Sequence, residues 1–203
     1  MKRVFLFSLI ISFVILSTTA FAAERAPLGA GNLALKLDYI NFTDSDMDRL
    51  DVDSGFYVGL EAYSHLTDTA PNFYIGMEVG YASSDGDVNL RGGSRDTEMT
   101  YVPIELNLKY AMNVAPNLAI DMGAGASVNY AKIEGPRALG INGSEDDWLW
   151  GGQVFADLNY KINQFFIGIN AKYQITDNFE IGKTETDVSF SNWRIGGQAG
   201  IMF

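Results

Sequence analysis

Residues 193–203 read WRIGGQAGIMF, and the chain ends on Phe203. Trp193, Ile195, Gly197, Ala199, Ile201 and Phe203 share one parity, while Arg194, Gly196, Gln198, Gly200 and Met202 share the other. Successive side chains of a β-strand point to opposite faces, so this segment is a strand with one apolar face. Exposed to water along an open edge, such a strand would template aggregation. The rest of the sequence has to say what covers that face.

Working upstream, the same period of two recurs seven times. The apolar sets are Leu33 to Tyr39, Phe56 to Ala62, Phe73 to Tyr81, Val102 to Tyr110, Leu118 to Tyr130, Trp148 to Tyr160 and Phe165 to Tyr173, each read on alternate residues. The opposite parity carries Lys36, Asp38, Glu61, Glu78, Glu105, Lys109, Asp121, Asp157, Lys172 and Arg194, mixed with glycines and amides. Eight strands of about ten residues match the length a tilted strand needs to cross a bilayer. A water-soluble sandwich also alternates. Here, however, no charge interrupts the apolar parity, and that parity's aromatics gather at strand ends. Tyr39, Phe56, Tyr81, Tyr130, Trp150, Tyr173 and Trp193 form one expected belt at the outer rim. Phe73, Tyr110, Tyr160, Phe165 and Phe203 form the other at the inner rim. Girdles at both interfaces are the mark of a transmembrane barrel.

The connections alternate too. Those at 43–54, 83–100, 131–147 and 176–192 are long, and those at 66–72, 111–117 and 161–164 are short. Long outer loops and tight periplasmic turns give this rhythm, and it puts both termini on the periplasmic side. The expected fold is therefore all-β: an eight-stranded antiparallel up-and-down barrel in which the last strand pairs with the first. Lipid covers its apolar face, and closure satisfies its backbone.

At the N-terminus, Lys2 and Arg3 precede the apolar run from Val4 to Leu16 and the small-residue pattern Ala20-Phe21-Ala22. That reads as a secretory signal peptide over 1–22, followed by a periplasmic lead-in over 23–31 and a barrel over 32–203. Removing residues 1–22 takes the formal charge from −11 to −13. So acidic a chain argues against nucleic acid as a partner. There is no cysteine, which excludes disulfides, thiolate metal sites and a lipid-modified Cys. No cofactor is expected, and the barrel is expected to be a monomer.

Strand count, loop rhythm, signal peptide and terminal Phe203 together resemble the small eight-stranded outer-membrane barrels, the OmpA transmembrane-domain and OmpX-like proteins. The resemblance covers nearly all of the mature chain. It implies the bacterial outer membrane as location, with membrane lipid and lipopolysaccharide as surroundings. It also implies that Ile201 and Phe203 act as the signal read by the barrel-assembly machinery. Gln198 departs from the family pattern, which prefers Gly there.

A barrel of eight strands has an interior that side chains can fill. Charges of both signs on the inner parity suggest a paired network that plugs the lumen; a narrow porin-like path for ions or small solutes is the alternative. Lys109 with Asp121 is the expected pair, followed by Glu105 with Lys172 or Arg194. A lipid A-modifying enzyme is a further alternative, because barrels resembling this one carry His-x-Ser on one face. Here the single histidine, His65, has Ser64 beside it on the opposite face, so no nucleophile–base pair forms. Asp44, Asp46, Asp48, Asp51 and Asp53 fall short of a calcium loop, since Arg49 stands at the sixth place and Gly55 at the twelfth. The chain is thus expected to be a structural or surface-interaction protein of the outer membrane and not an enzyme.

Overall fold

The computed structural model describes residues 26–45, 47, 51–67, 69–90, 93–135, 143–181 and 184–203. The expected signal peptide at 1–22 lies outside them, as do Asp46 and Asp48. The strands are β1 (Gly31–Phe42), β2 (Ser54–Thr67), β3 (Ala70–Leu90), β4 (Gly93–Ala115), β5 (Leu118–Gly135), β6 (Gly143–Ile162), β7 (Phe165–Thr176), β8 (Asn178–Ile181), β9 (Thr184–Ser189) and β10 (Asn192–Met202). Eight of them close into a barrel in the order β1-β10-β7-β6-β5-β4-β3-β2, and β8 pairs with β9 as a separate hairpin.

Closure is made by the segment quoted first. β10 pairs antiparallel with β1 from Asn32↔Met202 to Phe42↔Asn192 and with β7 from Asn192↔Gln174 to Ile201↔Phe165. Beyond the last of these pairs, Gly31 and Phe203 exchange two backbone hydrogen bonds of 3.0 Å. The barrel wall thus has no free edge between its first and last strands. Pairing between β3 and β4 lapses between Val79↔Ile104 and Ala82↔Tyr101, where Pro103 has no N–H to donate.

Alternation sorts the side chains as a lipid-facing wall requires. Leu106, Ile169 and Val154 are exposed on the outside, whereas Lys36, Glu61, Lys109 and Arg194 are at most 1% exposed inside. Buried charge within and bare aliphatic surface without invert the arrangement of a water-soluble protein.

Three of the long connections differ from the expected layout. The stretches 83–100 and 131–147 read as loops, yet β3, β4, β5 and β6 run on through most of them and reach 21, 23, 18 and 20 residues. Pairing continues to Leu90↔Gly93 and Gly135↔Gly143, well past the rim where β2 leaves β3 at Phe56↔Ser83. The four strands thus rise above the barrel as one wall, since β4 also pairs with β5 as far as Glu98↔Glu134. The 176–192 connection, also read as a loop, holds the β8–β9 hairpin. At the opposite end the turns are tighter than expected: only two residues separate β4 from β5 and β6 from β7, with Asn163 at φ 56° in the latter. Asn tolerates that left-handed conformation better than most residues.

Candidate functional site

The only large chemical constellation among the described residues is the barrel interior, which is layered along its axis. At the mouth beside the chain termini, Leu28, Tyr63, Tyr74, Ala111, Ala119 and Phe155 form an apolar layer. At the mouth beside the long hairpins, Phe42, Met47, Val52, Met99, Tyr101, Ile133, Leu149, Phe179 and Phe190 form another. Phe42 meets Tyr101 and Phe190 edge-on, and Tyr101 stacks on Phe190 at 5.8 Å. The connection between β7 and β10 supplies Phe179 and Phe190, so it packs down into the mouth.

Between these layers lie the ten charged side chains. Strand register places Glu61 opposite Glu78 and Glu78 opposite Glu105, an acidic arc on β2, β3 and β4. Lys172 stands opposite Arg194 on β7 and β10, and Lys36 lies on β1, between β10 and β2. Like charges directly opposed on neighbouring strands repel. The acidic arc is relieved by Lys36 from the neighbouring β1, by Lys109 at Glu61, and by Lys172 and Arg194 from across the lumen.

The contacts show how. Lys36 Nζ reaches Glu61 at 2.9 Å and Glu78 at 3.3 Å. Lys172 Nζ lies 2.6 Å from Glu78 and is also bonded to Glu105. Arg194 is paired with Glu105, and its second terminal nitrogen lies 3.5 Å from Glu78. Tyr57 donates its hydroxyl to Glu78 at 2.6 Å while its ring lies under the Arg194 guanidinium, 4.4 Å from centroid to Cζ.

Nearer the termini a second tier forms. Lys109 Nζ lies 3.2 Å from Asp121 and 3.7 Å from Glu61, over the Tyr63 ring at 3.8 Å. Asp157 stands opposite Asp121 and has Lys36 at 4.0 Å. Asp38 is held by an amide, with Asn170 donating to it at 2.9 Å. Amides extend the lattice: Gln153 donates to Asn107 and Gln198 to Asn159, both at 2.7 Å, and Gln174 donates to Ser127 at 2.8 Å. Ionic burial is unfavourable unless each charge is paired and further hydrogen-bonded. Glu78 and Glu105 have both, whereas among the described residues the Glu61 and Asp157 carboxylates accept no hydrogen bond and rest on the nearby charges of Lys36 and Lys109 alone.

The aromatics named from the sequence lie on the outer surface or half-buried along it. Phe56 is 82% exposed, Tyr39 packs against Trp193 at 5.6 Å, and Phe73 packs against Tyr110 at 5.0 Å. Tyr81, Trp150, Tyr173, Tyr160, Phe165 and Phe203 are exposed, and Tyr130 leans on the exposed Trp148 at 5.4 Å. The lumen network expected from the sequence counted charges alone and left out the inward aromatics Tyr57, Tyr63, Tyr74, Tyr101, Phe155 and Phe166, all buried. Their signal was present, since each sits on the polar parity of its strand. Gly59 and Gly80 mark the space one of them needs, because a Cβ at either would overlap the Tyr57 ring.

Catalytic groupings are scarce. His65 is half-buried near the terminal mouth, with its backbone N–H donating to the Ala30 carbonyl at 2.9 Å, and the Ser64 hydroxyl donates to the His65 backbone oxygen at 3.5 Å. Among the described residues no three His, Cys, Asp or Glu side chains are arranged to hold a metal ion. In the acidic loop, Asp44 accepts from the Ser189 backbone N–H at 2.8 Å and Asp53 accepts from Asn41 at 3.2 Å, so both serve loop structure.

Comparison with known proteins agrees with this architecture. No curated protein matches the chain. Among solved structures, Neisserial surface protein A is similar at 12% identity and a TM-score of 0.57, over 86% of this chain and 97% of that one. At 13% identity the N-terminal β-barrel domain of Pseudomonas aeruginosa OprF has a TM-score of 0.45, over 85% of this chain and 97% of that one. A major outer membrane protein from Thermus thermophilus has 13% identity and a TM-score of 0.49, over 85% of this chain and 100% of that one. The family model for the outer membrane protein beta-barrel domain matches residues 8–198. With that match over a closed eight-stranded barrel, the chain belongs to the outer membrane protein beta-barrel domain family and resides in the bacterial outer membrane.

Proposed function

We propose that the protein is a structural and surface-interaction barrel whose lumen passes no solute. One observation carries the reading: the interior is filled by a cross-lumen ionic lattice between two apolar layers. Water and ions crossing it would have to break several buried ion pairs and displace aromatic rings at both mouths. The projecting wall of β3–β6 supports the interaction half of the proposal. Above the rim, 85–90 of β3 pair with β4 alone among the described residues, so one strand edge there has no partner strand. A bare edge above the membrane is a surface on which another chain can add a strand. Lipid and lipopolysaccharide surround the barrel itself.

Purified protein reconstituted in planar bilayers is expected to show no steady, reproducible conductance. Regular single-channel steps would transfer the assignment to a porin-like channel. A lipid A acyl pattern that changes with the gene and reverts on His65→Ala would make the barrel an enzyme.

A further inference from the structure

The five residues before β1 do not hang free below the barrel. Leu28 is fully buried in the apolar layer at the terminal mouth, against Tyr63, Tyr74, Ala111, Ala119 and Phe155. One hydroxyl fixes the backbone on either side of it: Tyr74 accepts from the Leu28 N–H at 3.0 Å and donates to the Gly29 carbonyl at 2.9 Å. Lys161, on the far wall, donates to the Pro27 carbonyl at 3.1 Å, and the His65 N–H holds the Ala30 carbonyl at 2.9 Å. The segment is thereby tied to β2, β3 and β6. Gly29 takes φ +73°, which lets the chain turn back toward the wall, and a Cβ there would also meet the Phe203 carbonyl at 2.8 Å.

The two sides of this segment differ. Ala26, Pro27 and Gly29 border a cavity of about 520 Å³, open to the exterior and bounded by Pro116, Asn117, Gln164 and Phe203. Leu28 points the other way, into the lumen layer. Just beyond that layer lie Lys109, Asp121 and Glu61.

We propose that 26–30 form a stopper: after closure of the barrel this segment seats Leu28 in the terminal mouth and separates the charged lumen from the aqueous vestibule. Seating requires the finished cylinder, because its contacts come from strands on opposite walls and from the paired end of β10. It is therefore the last local step of folding, and the one most readily reversed without unpairing the wall.

The absence of cysteine allows a direct test on the purified protein in detergent. Ala119→Cys places one thiol in the layer beneath Leu28, and Val114→Cys, in the exposed end of the hairpin, serves as reference. With the stopper intact, the thiol at 119 is expected to react with a small charged methanethiosulfonate far more slowly than the one at 114. Adding Leu28→Asp removes an apolar anchor worth more than a tenfold bias toward the seated state, so labelling at 119 should accelerate at least about tenfold while 114 is unchanged. Heat-modifiable gel migration checks that the barrel still forms. Should Leu28→Asp not fold, Tyr74→Phe removes only the hydroxyl latch and is expected to accelerate labelling at 119 in the same direction. Equal rates at 119 and 114 with the stopper intact would overturn the proposal, as would a rate at 119 that neither variant changes. Because the opposite mouth keeps its own apolar layer, this result is separable from the conductance of the whole barrel.

Discussion

Arg194 shows what one residue does in this lumen. It is wholly buried, bonded to Glu105, close to Glu78 and seated on the Tyr57 ring. A cation is needed here because three carboxylates stand in a row on adjacent strands, and Lys172 and Lys36 alone are already shared between them. Arg194→Met keeps most of the volume but leaves Glu105 and Glu78 short of a partner. Breaking a buried pair from one side costs about 3–5 kcal/mol, so the urea-unfolding midpoint in lipid vesicles should fall accordingly. Adding Glu105→Gln to the same chain should restore part of the loss, because the uncompensated charge is then gone. If Arg194→Met alone leaves the midpoint where it was, the ionic lattice does not hold the lumen together. The composition of this lattice was legible in the sequence, since every member lies on the polar parity. Its pairing across the lumen was legible only in part, because partners on opposite walls are fixed by barrel stagger, which no local pattern records.

At the scale of elements, the strands do two jobs along their length. Below the rim each contributes one lipid-facing and one lumen-facing row, and that half was readable from alternation. Above the rim the period of two fades: SSDGDVNL and GGSRDTEM carry polar residues on both parities and read as loop. The backbone nevertheless goes on pairing, because register once set by the barrel carries forward along the hairpin. The stopper was illegible for a related reason: five residues containing Pro27 and Gly29 have no period at all, and only the closed cylinder supplies their partners. A prediction separates the two halves of the hairpins. Ser84 faces Met99 in register, so excising 85–98 and joining the two by a two-residue Asn-Gly turn removes the projecting part of β3–β4 and spares the pairing of β2 with β3. Heat-modifiable migration and thermal midpoint in detergent are expected to persist. Their collapse would mean that the projecting wall is needed to form the cylinder, rather than being borne by it.

For the whole molecule, the deciding quantity is which solvent each surface meets. Leu35, Leu37, Leu106, Leu108, Ile167 and Ile169 are all exposed, as no stable water-soluble monomer of this size would arrange them. Closure leaves the wall no free strand edge below the rim, so hydrocarbon can surround it without stranding backbone hydrogen bonds. The consequence is a cost that depends on depth. Leu106 lies between Met77 and Ala126 at mid-wall, between the levels of Tyr110 and Tyr130, while Val114 lies past Tyr110 toward the turn. A lysine facing lipid costs about 2–4 kcal/mol at the bilayer midplane and about 0–1 near the interface. Unfolding by urea in phosphatidylcholine vesicles should therefore show Leu106→Lys destabilised by an amount in the first range and Val114→Lys in the second. In a water-exposed wall the two substitutions would cost the same, because a lysine at either site would simply be hydrated. Equal midpoints for the two variants would remove lipid as the covering of the apolar face that Trp193, Ile195 and Ile201 present.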